Sequence, residues 1–70
     1  MQKTISIGTL ARRTGVAVSA LRFYEEKGLV FPERNAGGQR RFLKADIRRV
    51  SFILIAQKFG FTLPKIAKTL

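Results

Sequence analysis

The chain has no cysteine and no histidine, only four acidic residues against fourteen lysines and arginines, and two prolines in seventy positions. Each scarcity removes a class of explanation. Without cysteine there is no disulfide staple, and without cysteine or histidine the common zinc sites are closed. General acid–base and nucleophilic catalysis draw mostly on the same two residue types. A carboxylate pair is the remaining option, and Glu25 with Glu26 does not supply it. Neighbours on a helix of 3.6 residues per turn diverge by about 100°. The chain is therefore not expected to be an enzyme. Its longest apolar run, Phe52 to Ala56, is far short of the ~20 residues that span a bilayer. Met1 to Arg13 carries no apolar stretch resembling a signal peptide. A membrane surface would favour one long amphipathic helix with a basic face, whereas these cations are spread over several segments. The expectation is a cytoplasmic chain with no membrane partner and no cofactor of its own.

What is present is positive charge. The formal net charge is +10, on a chain that is 46% apolar and hence globular rather than disordered. A domain this small buries only about 60% of its unfolded surface, so one domain over residues 1–70 is the limit. Self-repulsion of this size calls for a polyanion, and nucleic acid is the common one.

The order of elements sharpens that reading. Ser6 can cap a first helix on which Ile7, Leu10 and Ala11 form an apolar stripe, with Arg12 and Arg13 in its last turn and Gly15 closing it. A second helix follows from about Val18 to Lys27, although Ala17 stands where a capping Ser or Thr would be expected. Leu21, Ala20 and Tyr24 can face inward there, and Ser19, Arg22 and Glu26 outward. Gly28 stops the helix, and Val30-Phe31-Pro32 is extended because the residue before proline avoids helix. Two short strands then flank Asn35-Ala36-Gly37-Gly38, whose glycines suit a hairpin tip. A third helix, about Lys44 to Phe59, carries Ile47, Val50 and Ile53 or Leu54 on a wide apolar surface, as the central helix of a core would. Gly60 closes it, and Thr62 caps a last helix with Pro64 in its first turn. Phe31, Phe42, Phe52 and Phe59 all fall where a core would use them. Leu63, Ile66 and Leu70 keep helical spacing to the last residue, so the chain reads as cut rather than finished. The expected fold is mainly α: a winged helix-turn-helix, comprising helix-turn-helix, two-stranded β-wing and two further helices.

A helix-turn-helix followed by a basic wing is shaped for duplex DNA. Ser19 and Arg22 fit the outer face of the recognition helix near the end that meets base edges, and the Tyr24 phenol can reach a phosphate. For Arg22 the competing reading is a surface cation paired with Glu25 or Glu26. For Tyr24 it is a core aromatic. Arg34, Arg40 and Arg41 surround the hairpin tip, and the arginine fork suits phosphate. A charged edge strand also blocks aggregation, which is the alternative there. Lys58 is a further candidate contact, set against an ordinary solvated lysine.

At this point the sequence resembles the MerR family of bacterial transcription regulators. The resemblance lies in Ile7-Gly8-Thr9-Leu10-Ala11, Thr14-Gly15-Val16, Ala20-Leu21-Arg22-Phe23-Tyr24-Glu25 with Gly28-Leu29, Gln39-Arg40-Arg41-Phe42, Asp46-Ile47 and Gly60-Phe61-Thr62-Leu63-Pro64-Lys65-Ile66. Gly15 to Leu21 and Arg34 to Phe42 look most like the redox-sensing SoxR branch. The resemblance implies a homodimer on pseudo-palindromic promoter DNA, acting in the context of RNA polymerase by bending and untwisting an overlong spacer. It also implies DNA contacts at Arg22, Tyr24 and the wing residue Arg40, while Phe23 departs from the usual tyrosine. The long dimerising helix and effector domain of the family are absent, so residues 1–70 are expected to be monomeric. A full-length SoxR-like protein is implied to carry a [2Fe–2S] centre, but its cysteines are absent here. Small excisionase-like architectural DNA proteins are the alternative resemblance, fitting the length better and the Arg22–Glu25 and Gln39–Phe42 segments worse. A basic RNA-binding module is a third reading, disfavoured because no aromatic platform is evident.

Overall fold

A computed structural model describes residues 3–70; the first two residues of the expected domain lie outside the described residues. Strand β1 (Thr4–Ser6) leads directly into helix α1 (Ile7–Thr14), followed by α2 (Val18–Glu26), β2 (Glu33–Arg34), β3 (Arg40–Leu43), α3 (Asp46–Lys58) and α4 (Leu63–Thr69). This is the expected winged helix-turn-helix with one addition. The wing has three strands, not two, in the order β1-β3-β2. Both pairings are antiparallel, with Ile5 opposite Phe42 and Arg34 opposite Arg40. Strand β3 is therefore the central strand, and Phe42 on it is fully buried.

Local chemistry explains the helix ends. Ser6 Oγ accepts from the Thr9 amide at 3.1 Å, and Thr62 Oγ1 accepts from the Lys65 amide, so both first turns are capped by their own side chains. As expected, Ala17 gives α2 no side-chain cap. Helix α2 is closed by Gly28, whose φ of 73° lies in the left-handed region. There the Leu29 amide donates to Tyr24 O and the Gly28 amide to Glu25 O, a crossed pair that satisfies the last carbonyls and turns Leu29 into the core. The same crossed pair, Phe61 to Ala56 and Gly60 to Gln57, ends α3.

The core joins Leu10, Val16, Leu21, Tyr24, Leu29, Val30, Phe42, Val50, Ile53, Ala56 and Ile66. Three of the phenylalanines assigned to it are elsewhere. Phe31, Phe52 and Phe59 are 71%, 44% and 78% exposed. Helix α3 carries two apolar stripes. Val50, Ile53 and Ala56 face the core, while Phe52, Ile55 and Phe59 run beside them and, with Phe61, line an open apolar recess against α4. Phe31 instead lies under the Arg49 guanidinium, 5.7 Å from its ring centroid. Arg49 also donates from Nε to Leu29 O at 2.6 Å, clipping the α2–β2 connection onto α3.

Candidate nucleic-acid interface

Arg22, on the outer face of α2, and Gly38, Gln39, Arg40 and Arg41 of the wing line one recess of about 250 Å³, floored by Ser6 and Ile7 at the start of α1. Arg22 of helix α2 and the arginine-bearing ribbon thus open onto a common concavity. Arg22 is exposed, and its side chain makes no ion pair or hydrogen bond among the described residues. Of the two helical partners considered for it, Glu25 pairs with Arg40, and Glu26 makes no ion pair among the described residues.

Side-chain bonding shapes the wing tip. Asn35 Oδ1 accepts from the Gly37 and Gln39 amides, both at 3.0 Å, and its backbone closes the loop with Gly38 and Gln39. Gly38 completes the turn at a φ of 79°. Arg34 Nη1 donates to Gly38 O at 3.0 Å. Arg41 donates from Nε to Thr4 Oγ1 and from Nη2 to Thr4 O, tying β3 to β1. Arg40 donates from Nε to Glu25 Oε1 at 2.6 Å. Each wing arginine is held by an acceptor of the protein itself and keeps further N–H groups for an outside anion.

The other candidates are placed as follows. Ser19 is exposed on α2, one turn before Arg22. Tyr24 does not face outward: it is 4% exposed, and its hydroxyl donates to Gln57 Oε1 at 2.7 Å. A phenol so enclosed is a core aromatic joining α2 to α3 and does not present itself to a phosphate. Burial also raises its pKa above the ordinary tyrosine value, so it stays a neutral donor. Lys58 is exposed on the last turn of α3 and is not among the residues lining the recess. Three features were not anticipated from the sequence: the Thr4 strand that anchors Arg41, the bonding of the Asn35 side chain across the expected hairpin tip, and Glu25 as partner of Arg40. The polar tip sequence hinted at the second, since asparagine before a Gly-rich turn commonly bonds the backbone two residues on.

The chain offers no fit for the [2Fe–2S] centre of a SoxR-like protein. It has no cysteine or histidine, and among the described residues no group of three acidic side chains could hold a metal. No helix among them is long and apolar enough to cross a membrane.

Comparison with known proteins agrees with the fold. Residues 5–70 match the family model described as MerR HTH family regulatory protein. The chain is 54% identical over 69 residues to the HTH-type transcriptional activator SoxR homolog of Chromobacterium violaceum, covering 99% of this chain and 47% of that protein. It is 42% identical over 69 residues to the mercuric resistance operon regulatory protein of Pseudomonas fluorescens, covering 97% and 48% respectively. The chain thus spans about half the length of these curated relatives. Among solved structures, HiNmlR, a MerR family regulator lacking the sensor domain and bound to promoter DNA, superposes with a TM-score of 0.84 at 28% identity, over 96% of this chain and 54% of that one. A MerR family transcriptional regulator from Bacillus cereus gives 0.85 at 29% identity, over 96% and 51%.

Proposed function

Because the chain belongs to the MerR family of helix-turn-helix regulatory proteins, DNA-binding regulators rather than enzymes, we propose that it is the sequence-reading domain of a SoxR-like transcriptional regulator. The observation that carries this is the shared recess: Arg22 and the wing residues Gly38 to Arg41 border one concavity on a chain of charge +10. In this reading Arg22, with Ser19 beside it, reaches base edges in the major groove. Arg34, Arg40 and Arg41 grip the backbone on the flanking side. In this reading the regulator works as a homodimer on promoter DNA in the cytoplasm. It distorts an overlong spacer so that RNA polymerase can engage both of its recognition elements. The deformation costs several kcal/mol, on the order of what a bent operator demands, and the phosphate contacts offset it.

The test begins with a duplex that the chain selects from a random pool and a scrambled duplex of the same composition. Arg22→Ala is expected to weaken the selected duplex by about 1–3 kcal/mol and the scrambled one far less. Arg40→Ala and Arg41→Ala are expected to weaken both and to flatten the salt dependence by about one ion each. Fluorescence anisotropy across a salt series separates the two patterns. Equal losses on both duplexes for Arg22→Ala would remove its base-reading role.

A further inference from the structure

A carboxylate beside a DNA-binding recess is a liability unless it serves the cations around it. Glu25 is such a carboxylate. It makes the one ion pair found among the described residues, to Arg40, and both side chains are partly buried. The inference that follows rests on the DNA-reading role proposed above. We propose that Glu25 is a positioning residue: it grips Arg40 at Nε and so presents the far end of the guanidinium to the DNA backbone.

The atoms favour this over simple neutralisation. Glu25 Oε1 meets Arg40 only through Nε, at 2.6 Å. Neither terminal nitrogen of Arg40 has a hydrogen-bond partner among the described residues. A guanidinium has five N–H donors in a fixed plane, so a hold on Nε sets the direction of the four that remain. The hold is also long-range, from the recognition helix to the central strand of the wing, and it fixes one reading element against the other. Strand register adds a reason for it. Arg34 stands directly opposite Arg40, a like-charge pair that disfavours the hairpin. The two guanidinium groups take different acceptors, Arg34 bonding Gly38 O and Arg40 bonding Glu25. An arginine already ordered in the free protein loses less rotamer freedom on binding.

A positioning carboxylate and a repelling one predict opposite signs. The experiment uses the 70-residue chain, the selected duplex, the scrambled duplex and four variants: Glu25→Ala, Glu25→Gln, Arg40→Ala and the Glu25→Ala/Arg40→Ala double. Glu25→Ala is expected to lose about fivefold or more on the selected duplex although it makes the chain more cationic. Glu25→Gln, whose amide oxygen still accepts from Nε, is expected to restore affinity to within about twofold of wild type. In the Arg40→Ala background, removing Glu25 is expected to change nothing, an outcome that a role of Glu25 not exercised through Arg40 would not give. Tighter or unchanged binding by Glu25→Ala overturns the proposal, as does the same loss with and without Arg40. If wild type selects no sequence from the pool, the DNA-reading role falls and this inference with it. If wild type selects one and Glu25→Ala behaves as wild type, only the positioning role falls.

Discussion

Tyr24 sits on the helix that carries Arg22 yet turns away from the recess, so two residues two positions apart serve different ends. Its ring fills the core and its hydroxyl spans to Gln57 on α3. Because Gln57 is exposed and can be solvated when the bond is lost, Tyr24→Phe is expected to cost only about 0.5–1.5 kcal/mol in urea unfolding. The pH dependence of that cost has a definite sign. Burial raises the folded pKa above the unfolded value near 10. The stability from a neutral phenol is thus complete below the unfolded value and is lost as pH rises toward the folded one. The wild-type advantage over Tyr24→Phe should therefore be constant at neutral pH and shrink above about pH 10. A difference that stays constant through the alkaline range would mean the hydroxyl is not enclosed. Lysine titration, common to both proteins, cancels in the comparison.

Among the elements, the helix ends were the most legible in the sequence because capping is local. Ser6, Gly15, Gly28, Thr62 and Pro64 each act within a few residues of their own position. Strand β1 was not legible: Thr4 to Ser6 is too short to show alternation, and its partner lies beyond the whole helix-turn-helix. Periodicity likewise marked α3 as apolar without distinguishing the stripe that meets the core from the one that carries Phe52, Ile55 and Phe59. The candidate interface divides in the same way. Arg22 and the wing arginines could be read from helical phase and turn position, whereas the Glu25–Arg40 contact needs the fold to bring α2 and β3 together. Gly28 permits a test of an element boundary. A Cβ there would meet nothing within 4 Å, so the penalty of Gly28→Ala is conformational alone, about 1–2 kcal/mol for a left-handed residue. Gly8, inside α1, would gain only ordinary contacts at 3.9 Å, and Gly8→Ala should be neutral or stabilise by a few tenths of a kcal/mol, roughly. Chemical denaturation should show a loss of stability for Gly28→Ala and none for Gly8→Ala. Equal destabilisation would mean that space, not backbone geometry, limits both sites.

For the molecule as a whole, the question is how much of the +10 charge meets DNA. Fourteen cations cannot all face one groove on a body of 37 × 24 × 20 Å. The arginines that line or edge the recess are Arg22, Arg34, Arg40 and Arg41, while Lys58 stands on α3 outside it. Long-range attraction from the remaining charge fades beyond a Debye length of about 8 Å at physiological salt, so it speeds encounter more than it adds contacts. Counterion release then depends on the recess. With three or four phosphates neutralised per chain, the slope of log K against log salt should be about −3 to −4. A slope near −9 would mean that nearly the full net charge engages DNA and that the recess is not a distinct site. Lys58→Gln separates these cases within one background. It should leave the slope unchanged while slowing association slightly at low salt, whereas Arg41→Ala should reduce the slope by about one. Should the two variants shift the slope equally, position would count for no more than charge, and binding would be a property of the whole cationic surface instead of the cleft between helix and wing.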